Sequence, residues 1–225
     1  DVLPWFAKLL PPSRKLDQAS INFAAWGRID NGLLQRIQVE LAENSLSWQH
    51  QGEQHRLQLG RGQLLWQPAV NGWSMHSGDL TLSAAEQTWP GLQFQLHRRD
   101  AQWQAGLNQF SLAALSPLAQ LLAEDIAPLQ QLMQYQPDAA LTQLQWHSNA
   151  GQWQFSGAVN NLNTVAVGDV PGLQQVNGDF VVSAELARLR LHSEASQLSW
   201  DKLFNQATDY DELAATLYWQ AGTAG

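Results

Sequence analysis

Residues 141–159 read LTQLQWHSNAGQWQFSGAV. Apolar and polar side chains alternate, a short turn signal follows, and the alternation resumes. Leu144 and Trp146 fall on one side with Trp153, Phe155 and Val159, while Gln143, Gln145, Gln152 and Gln154 fall on the other. A period of two on either side of a turn is the pattern of a β-hairpin with one apolar face and one amide face. The same grammar recurs over most of the chain, so the fold question becomes what the apolar face touches.

Working outward, similar runs bounded by Gly, Asn, Asp or Pro predict strands over 20–28, 33–40, 45–49, 55–59, 62–67, 73–76, 79–83, 92–97 and 101–110. Further strands are expected from Leu141, over 152–159, 180–184, 188–193 and 213–219. Steady strand spacing with turn signals predicts an antiparallel meander. LPWFAKLLPP reads as a short helix stopped by Pro11-Pro12. From residue 111 the spacing turns helical, with Leu118, Leu121 and Leu122, then Leu129, Leu132 and Met133. Ser116-Pro117 suits an N-cap followed by proline in the first turn, and Pro128 divides the segment. SWDKLF reads as one further helical turn. The expected organisation is a β segment with a short leading helix over 1–110, a helical insertion over 111–136, and a β segment continuing the same sheet over 137–225. A loose internal echo, GQLLWQ against ATLYWQ, fits strand–turn–strand units.

Composition narrows the function. At 225 residues the chain is long enough to bury a core. It has no cysteine, which excludes disulfides and thiolate sites. The formal net charge is −8 with only 12 Lys and Arg, and the basic pairs Arg98-Arg99 and Arg188/Arg190 are too sparse to track nucleic-acid phosphates. Charged residues make up 14%, against roughly 25% in ordinary soluble domains. Glutamine fills the gap with 29 residues, and tryptophan reaches 11. No run of 18 apolar residues marks a membrane-spanning helix, and no signal peptide pattern is present. The abrupt opening and close suggest an excised piece of a longer protein whose targeting segment lies elsewhere.

Motifs for chemistry are sparse. His50 and His55 flank a turn, but neither they nor His76, His97, His147 and His192 form the tight spacings of a zinc site, so exposed histidines are expected and no metal is assigned. Asp209, Asp211 and Glu212 lack the glycine turn and alternating oxygen ligands of a calcium loop and should lead into the last strand. Glu40, Asp79 and Glu185 offer no singled-out carboxylate pair, and the serine-hydrolase, dinucleotide and P-loop motifs are absent. No enzyme, catalytic residue or cofactor is expected. Tryptophans flanked by amides would also fit a carbohydrate-binding β-sandwich module. Trp103, Trp146 and Trp153, however, run in phase with Leu and Phe, which favours a core or a groove lining.

The apolar area sets the remaining choice. About thirteen strands spaced ~4.8 Å apart make a sheet on the order of 60 Å wide. Three short helices, each ~10 Å across, cannot roof it. The sheet must close on itself, split in two, or remain an open trough whose lining awaits a ligand.

A resemblance bears on that choice. LSPLAQLL, followed by Pro171-Gly172-Leu173, Gly178, Leu203-Phe204, Leu213 and Trp219, resembles the YhdP group of AsmA-like proteins of Gram-negative bacteria, in particular their DUF3971 region. The likeness is clearest over about 111–220, and its motifs are structural. It implies a mainly β fold with a large, strongly curved antiparallel sheet, an open taco-like groove and a few short helices. It also implies a periplasmic stretch of a protein anchored in the inner membrane by a segment outside this sequence. The partner would be phospholipid, moved toward the outer membrane in support of its permeability barrier, with outer-membrane proteins as further contacts. The expected groove lining is Trp103, Leu107, Leu144, Trp146, Trp153, Phe155 and Leu191. An envelope scaffold that docks partner proteins is the other non-enzymatic alternative.

Overall fold

The structure is a computed structural model and describes residues 15–50, 52–84, 87–113, 132–200, 202 and 206–220. Strands take up 78% of the described residues and helix 3%, so the protein is mainly β with large antiparallel sheets. The expected helices over 3–10 and over 114–131 lie outside the described residues, as does most of SWDKLF, including Leu203-Phe204. Residues 112–113 and 132–134 are helical.

The chain divides into two compact units, the first holding ten strands and the second seven. In unit 1 these are β1 (Lys15–Ser20), β2 (Phe23–Asp30), β3 (Leu33–Leu41), β4 (Asn44–His50) and β5 (Glu53–Leu59). They are followed by β6 (Gly62–Ala69), β7 (Gly72–Ser77), β8 (Leu80–Ala84), β9 (Gln87–Leu92) and β10 (Phe94–Arg99). One sheet has the order β1-β4-β5-β8-β9, and the other strands run β2-β3-β6-β7-β10. The two orders match partner for partner. Unit 1 is therefore a meander of five long strands, each interrupted once at a common level, at residues 21–22, 42–43, 60–61, 78–79 and 93.

At this crease, side chains replace the ladder. The Asn22 N–H donates to Asn44 Oδ1 at 2.6 Å, and Asn22 Nδ2 donates to the Glu43 carbonyl at 2.9 Å. The Phe94 N–H donates to Ser77 Oγ at 2.8 Å, and Gln93 Nε2 to Asp79 Oδ1 at 2.6 Å. Short polar side chains suit the task because they mimic a backbone partner without lengthening the chain. The apolar beat slips by one residue there, from Leu59 to Gly62 and from Ser77 to Leu80. The apolar face nevertheless stays on one side: a Cβ built on Gly62 would lie 2.1 Å from Leu80 Cδ2. Trp48, Leu80 and Ala84 are the buried apolar residues of unit 1.

Unit 2 comprises β11 (Gln102–Ser111), β12 (Asp138–Asn149), β13 (Gln152–Asn163), β14 (Gly172–Gln174), β15 (Val176–Ser183), β16 (Leu186–Ser199) and β17 (Thr208–Gln220). Strands β14 and β15 are two parts of one line, separated by Gln175 and both paired to β16. The unit is again a meander: β11, β12, β13, the β14/β15 line, β16, β17. The hairpin expected over 141–159 is present. Ala150 (φ 48°) and Gly151 (φ 86°) form its two-residue turn, with both residues in the left-handed region that a tight type I′ hairpin requires.

A second crease crosses unit 2. Gln143, Asn161, Gln175 and Ala195 all have positive φ, between 53° and 58°. The ladder shifts register between Thr142 and Gln145 and between Val159 and Leu162. Bulges of this kind bend a strand and increase its twist. Amide and hydroxyl side chains again fill the gaps: the Asn161 N–H donates to Asn177 Oδ1 at 2.8 Å, and the Asn177 N–H to Ser193 Oγ at 2.7 Å. Here too the apolar beat slips, from Leu141 to Leu144, Val159 to Leu162 and Ser193 to Ser196. Val176, Ala139 and Leu144 are the buried apolar residues.

The structure revises several expectations. Breaks at Gly60, Gly78 and Ala42 are interruptions within long strands and do not reverse the chain, so unit 1 is five strands wide. Strands β1, β9 and β14 were not signalled by alternation. Asp209, Asp211 and Glu212 lie inside β17, where Asp209 accepts a hydrogen bond from Gln197 Nε2 at 2.8 Å. His55, His76 and His97 are half-buried, not exposed; His55 stacks on Trp48 at 5.6 Å, and His76 meets His97 edge-on at 5.4 Å.

Candidate functional site

Register and alternation together build the apolar face of unit 2 as transverse rows. Ala105, Trp146, Phe155, Val182, Ala187 and Trp219 are mutual neighbours from β11 to β17. The next row is Leu107, Leu144, Gly157, Phe180, Leu189 and Leu217, with Gly157 beside the bulge. Beyond the crease in β11, β12 and β13 come Phe110, Leu141 and Val159, continued by Gly178, Leu191 and Ala215. On the other flank Trp103, Ser148 and Trp153 line up.

Contacts confirm that these residues share a side. A Cβ on Gly157 would lie 2.6 Å from Leu144 Cδ2 and 3.1 Å from Phe180 Cζ, so glycine there lets the neighbouring side chains close over the strand. The rings of Phe155 and Phe180 are 5.3 Å apart. Trp103, Leu107, Leu144, Trp146, Trp153, Phe155 and Leu191 therefore stand on one face. Phe180, Val182, Leu189, Leu217 and Trp219 share the face but were not among the expected lining, although the alternation in FVVS, LARLRL and TLYWQ carries them.

Exposure grades across this face. Leu144 is 7% exposed, Trp153 37%, Leu217 42% and Trp219 54%. Among the described residues, extensive packing within unit 2 joins only sheet neighbours, together with β14 against β13. The first two rows are buried or half-buried from β11 to β16 and become exposed at β17, with Leu217 and Trp219.

Unit 1 repeats the arrangement. Gly27, Ile37, Trp66, Met75 and Leu96 form one row, and Ala25, Val39, Leu64, Ser77 and Phe94 the next. At its crease a cavity of about 590 Å³ is lined by Ile21, Phe23 and Leu41 together with Glu40 and Arg61, so an apolar wall meets one carboxylate and one guanidinium.

The opposite face of unit 2 is polar. Gln104, His147, Gln154 and Ser183 form one row, and Gln102, Asn149 and Gln152 the adjacent one, which ends near Glu185. These residues line a cavity of about 540 Å³ together with Trp103, Ser148, Trp153, Ala184 and Gly151. The apolar row of Ala105, Trp146, Phe155 and Val182 is not part of it, which puts the cavity on the amide side. Farther along, Arg190 pairs with Asp179 at 3.6 Å.

No group of three or more His, Cys, Asp or Glu that could hold a metal occurs among the described residues. No described helix is long and apolar enough to cross a membrane. A family model described as YhdP protein matches residues 1–225. No curated protein and no solved structure matches the chain.

Proposed function

The chain belongs to the YhdP family, and on that premise we propose that its apolar rows bind phospholipid acyl chains, as a stretch of a lipid-conducting trough in the Gram-negative cell envelope. The observation that carries the reading is the row structure of unit 2. In the row Ala105, Trp146, Phe155, Val182, Ala187 and Trp219 apolar side chains run across six strands, and the β17 end of the face, with Leu217 and Trp219, is exposed. Covering apolar surface with hydrocarbon is favourable by about 25 cal/mol per Å².

Successive rows present like contacts, so a chain shifted from one row to the next exchanges one set for a similar set. That is a surface for sliding more than for holding. The faces also lack charge where a tail would lie: of the eighteen positions in the three full rows, none is Asp, Glu, Lys or Arg. The creases supply the curvature an open trough needs, since bulges bend strands toward one side. In this reading the parent protein is anchored in the inner membrane, the stretch lies in the periplasm, and lipid travels toward the outer membrane. The family is not known for enzymes.

Native mass spectrometry of the chain purified without delipidation tests the reading. Phospholipid adducts that vanish when Leu217 and Trp219 are both replaced by Asp are the expected result. A chain that carries no lipid, even after incubation with phospholipid vesicles, overturns it.

A further inference from the structure

The polar cavity of unit 2 includes no residue of the three rows assigned to acyl chains, although Trp103 and Trp153 of the flanking row contribute to its lining. Gln102, Gln104, His147, Asn149, Gln152 and Gln154 stand in two rows over three adjacent strands and converge on about 540 Å³ of space. The volume lies within the ~300–1,000 Å³ usual for small-molecule sites. All six residues are exposed, and none of their side chains is tied up by a hydrogen bond or ion pair within the protein, in contrast to the amides at the creases, which are bonded to backbone groups. Each glutamine or asparagine offers two N–H donors and a carbonyl acceptor. The array can therefore both donate and accept at many points.

Charge selects among ligands. The lining contains no Lys or Arg, so phosphates and carboxylates find no ionic partner. Glu185 supplies the one carboxylate and disfavours anions further. A hydrocarbon would strand the unpaired amides. What matches is a neutral ligand crowded with hydroxyl or amide groups. We propose that this cavity is a binding site for a neutral carbohydrate.

The test is titration of the whole chain with maltose and with N,N′-diacetylchitobiose, followed by saturation-transfer NMR and calorimetry. Saturable binding of either sugar with a dissociation constant on the order of millimolar is expected. The Gln104→Ala/Gln154→Ala variant should bind about tenfold more weakly, having lost two sets of neutral hydrogen bonds. His147→Ala serves as a second variant should the double one fold poorly, and circular dichroism checks both. Leu217→Asp, on the opposite face, should leave sugar binding unchanged. No saturable binding of either sugar, or binding untouched by the cavity variants, overturns the assignment. So does loss of binding in Leu217→Asp with the fold intact.

Discussion

Leu144 and Leu217 are the same residue type on the same transverse row, with the three strands β13, β15 and β16 between them, yet one is 7% exposed and the other 42%. Replacing each with aspartate separates the covered part of the row from its open end. Burying a leucine completely stabilises by about 1.5–3 kcal/mol. Leu144→Asp forfeits nearly all of that and leaves an unpaired carboxylate in apolar surroundings, for about 3–5 kcal/mol more. The total rivals the ~5–15 kcal/mol that holds a typical domain together, so this variant should unfold or melt far below the parent. Leu217→Asp keeps its carboxylate in water and loses only the buried fraction, about 0.9–1.7 kcal/mol. For a chain of this size that is a drop in melting temperature of about 2–7 °C. Thermal melts followed by tryptophan fluorescence give the stabilities, and native mass spectrometry of bound phospholipid gives the loading. The reasoning fails if Leu217→Asp melts along with Leu144→Asp, because the row would then be sealed. It fails equally if folded Leu217→Asp carries as much lipid as the parent.

Three more predictions share this logic. Trp153→Asp and Phe155→Asp should stay soluble but reduce phospholipid transfer between donor and acceptor vesicles severalfold; collapse of both variants on heating, at a cost of more than about 4 kcal/mol, would mark a closed core instead. Gly72→Ala should destabilise more than Gly157→Ala in urea titrations. The new methyl at 72 meets the Arg98 carbonyl oxygen at 1.8 Å, whereas at 157 it meets a side-chain tip at 2.6 Å that can swing away for about 1–3 kcal/mol. Ser193→Ala removes a 5%-exposed hydroxyl that the Asn177 N–H uses at 2.7 Å, so about 1–3 kcal/mol and faster amide exchange at Asn177 are expected.

Alternation made the hairpin at 141–159 and the seven apolar residues on its face readable, because a period of two fixes which side each residue takes. It failed where the beat slips. Leu59–Gly60–Arg61–Gly62 looks like a chain reversal, since glycines flank a polar residue, and only the matching strand orders reveal a straight continuation. Gln143 and Ala195 give no local hint of positive φ, since neither residue type favours it; the bulges they occupy follow from pairing with distant strands. The polar cavity was invisible for a different reason. Glutamines on a solvent face look alike until registry shows which ones stand side by side.

The common level at which every strand of unit 1 breaks ties the lengths of its neighbours together. A single residue inserted into the outer half of one strand would invert that half alone, turning its greasy side chains outward while its partners stay put. Insertions and deletions on either side of the fold line should therefore survive only in twos. The fold line itself is where an odd count is already absorbed, as from Leu59 to Gly62 and from Ser77 to Leu80, which makes it the natural place for such a molecule to change its reach without turning itself inside out.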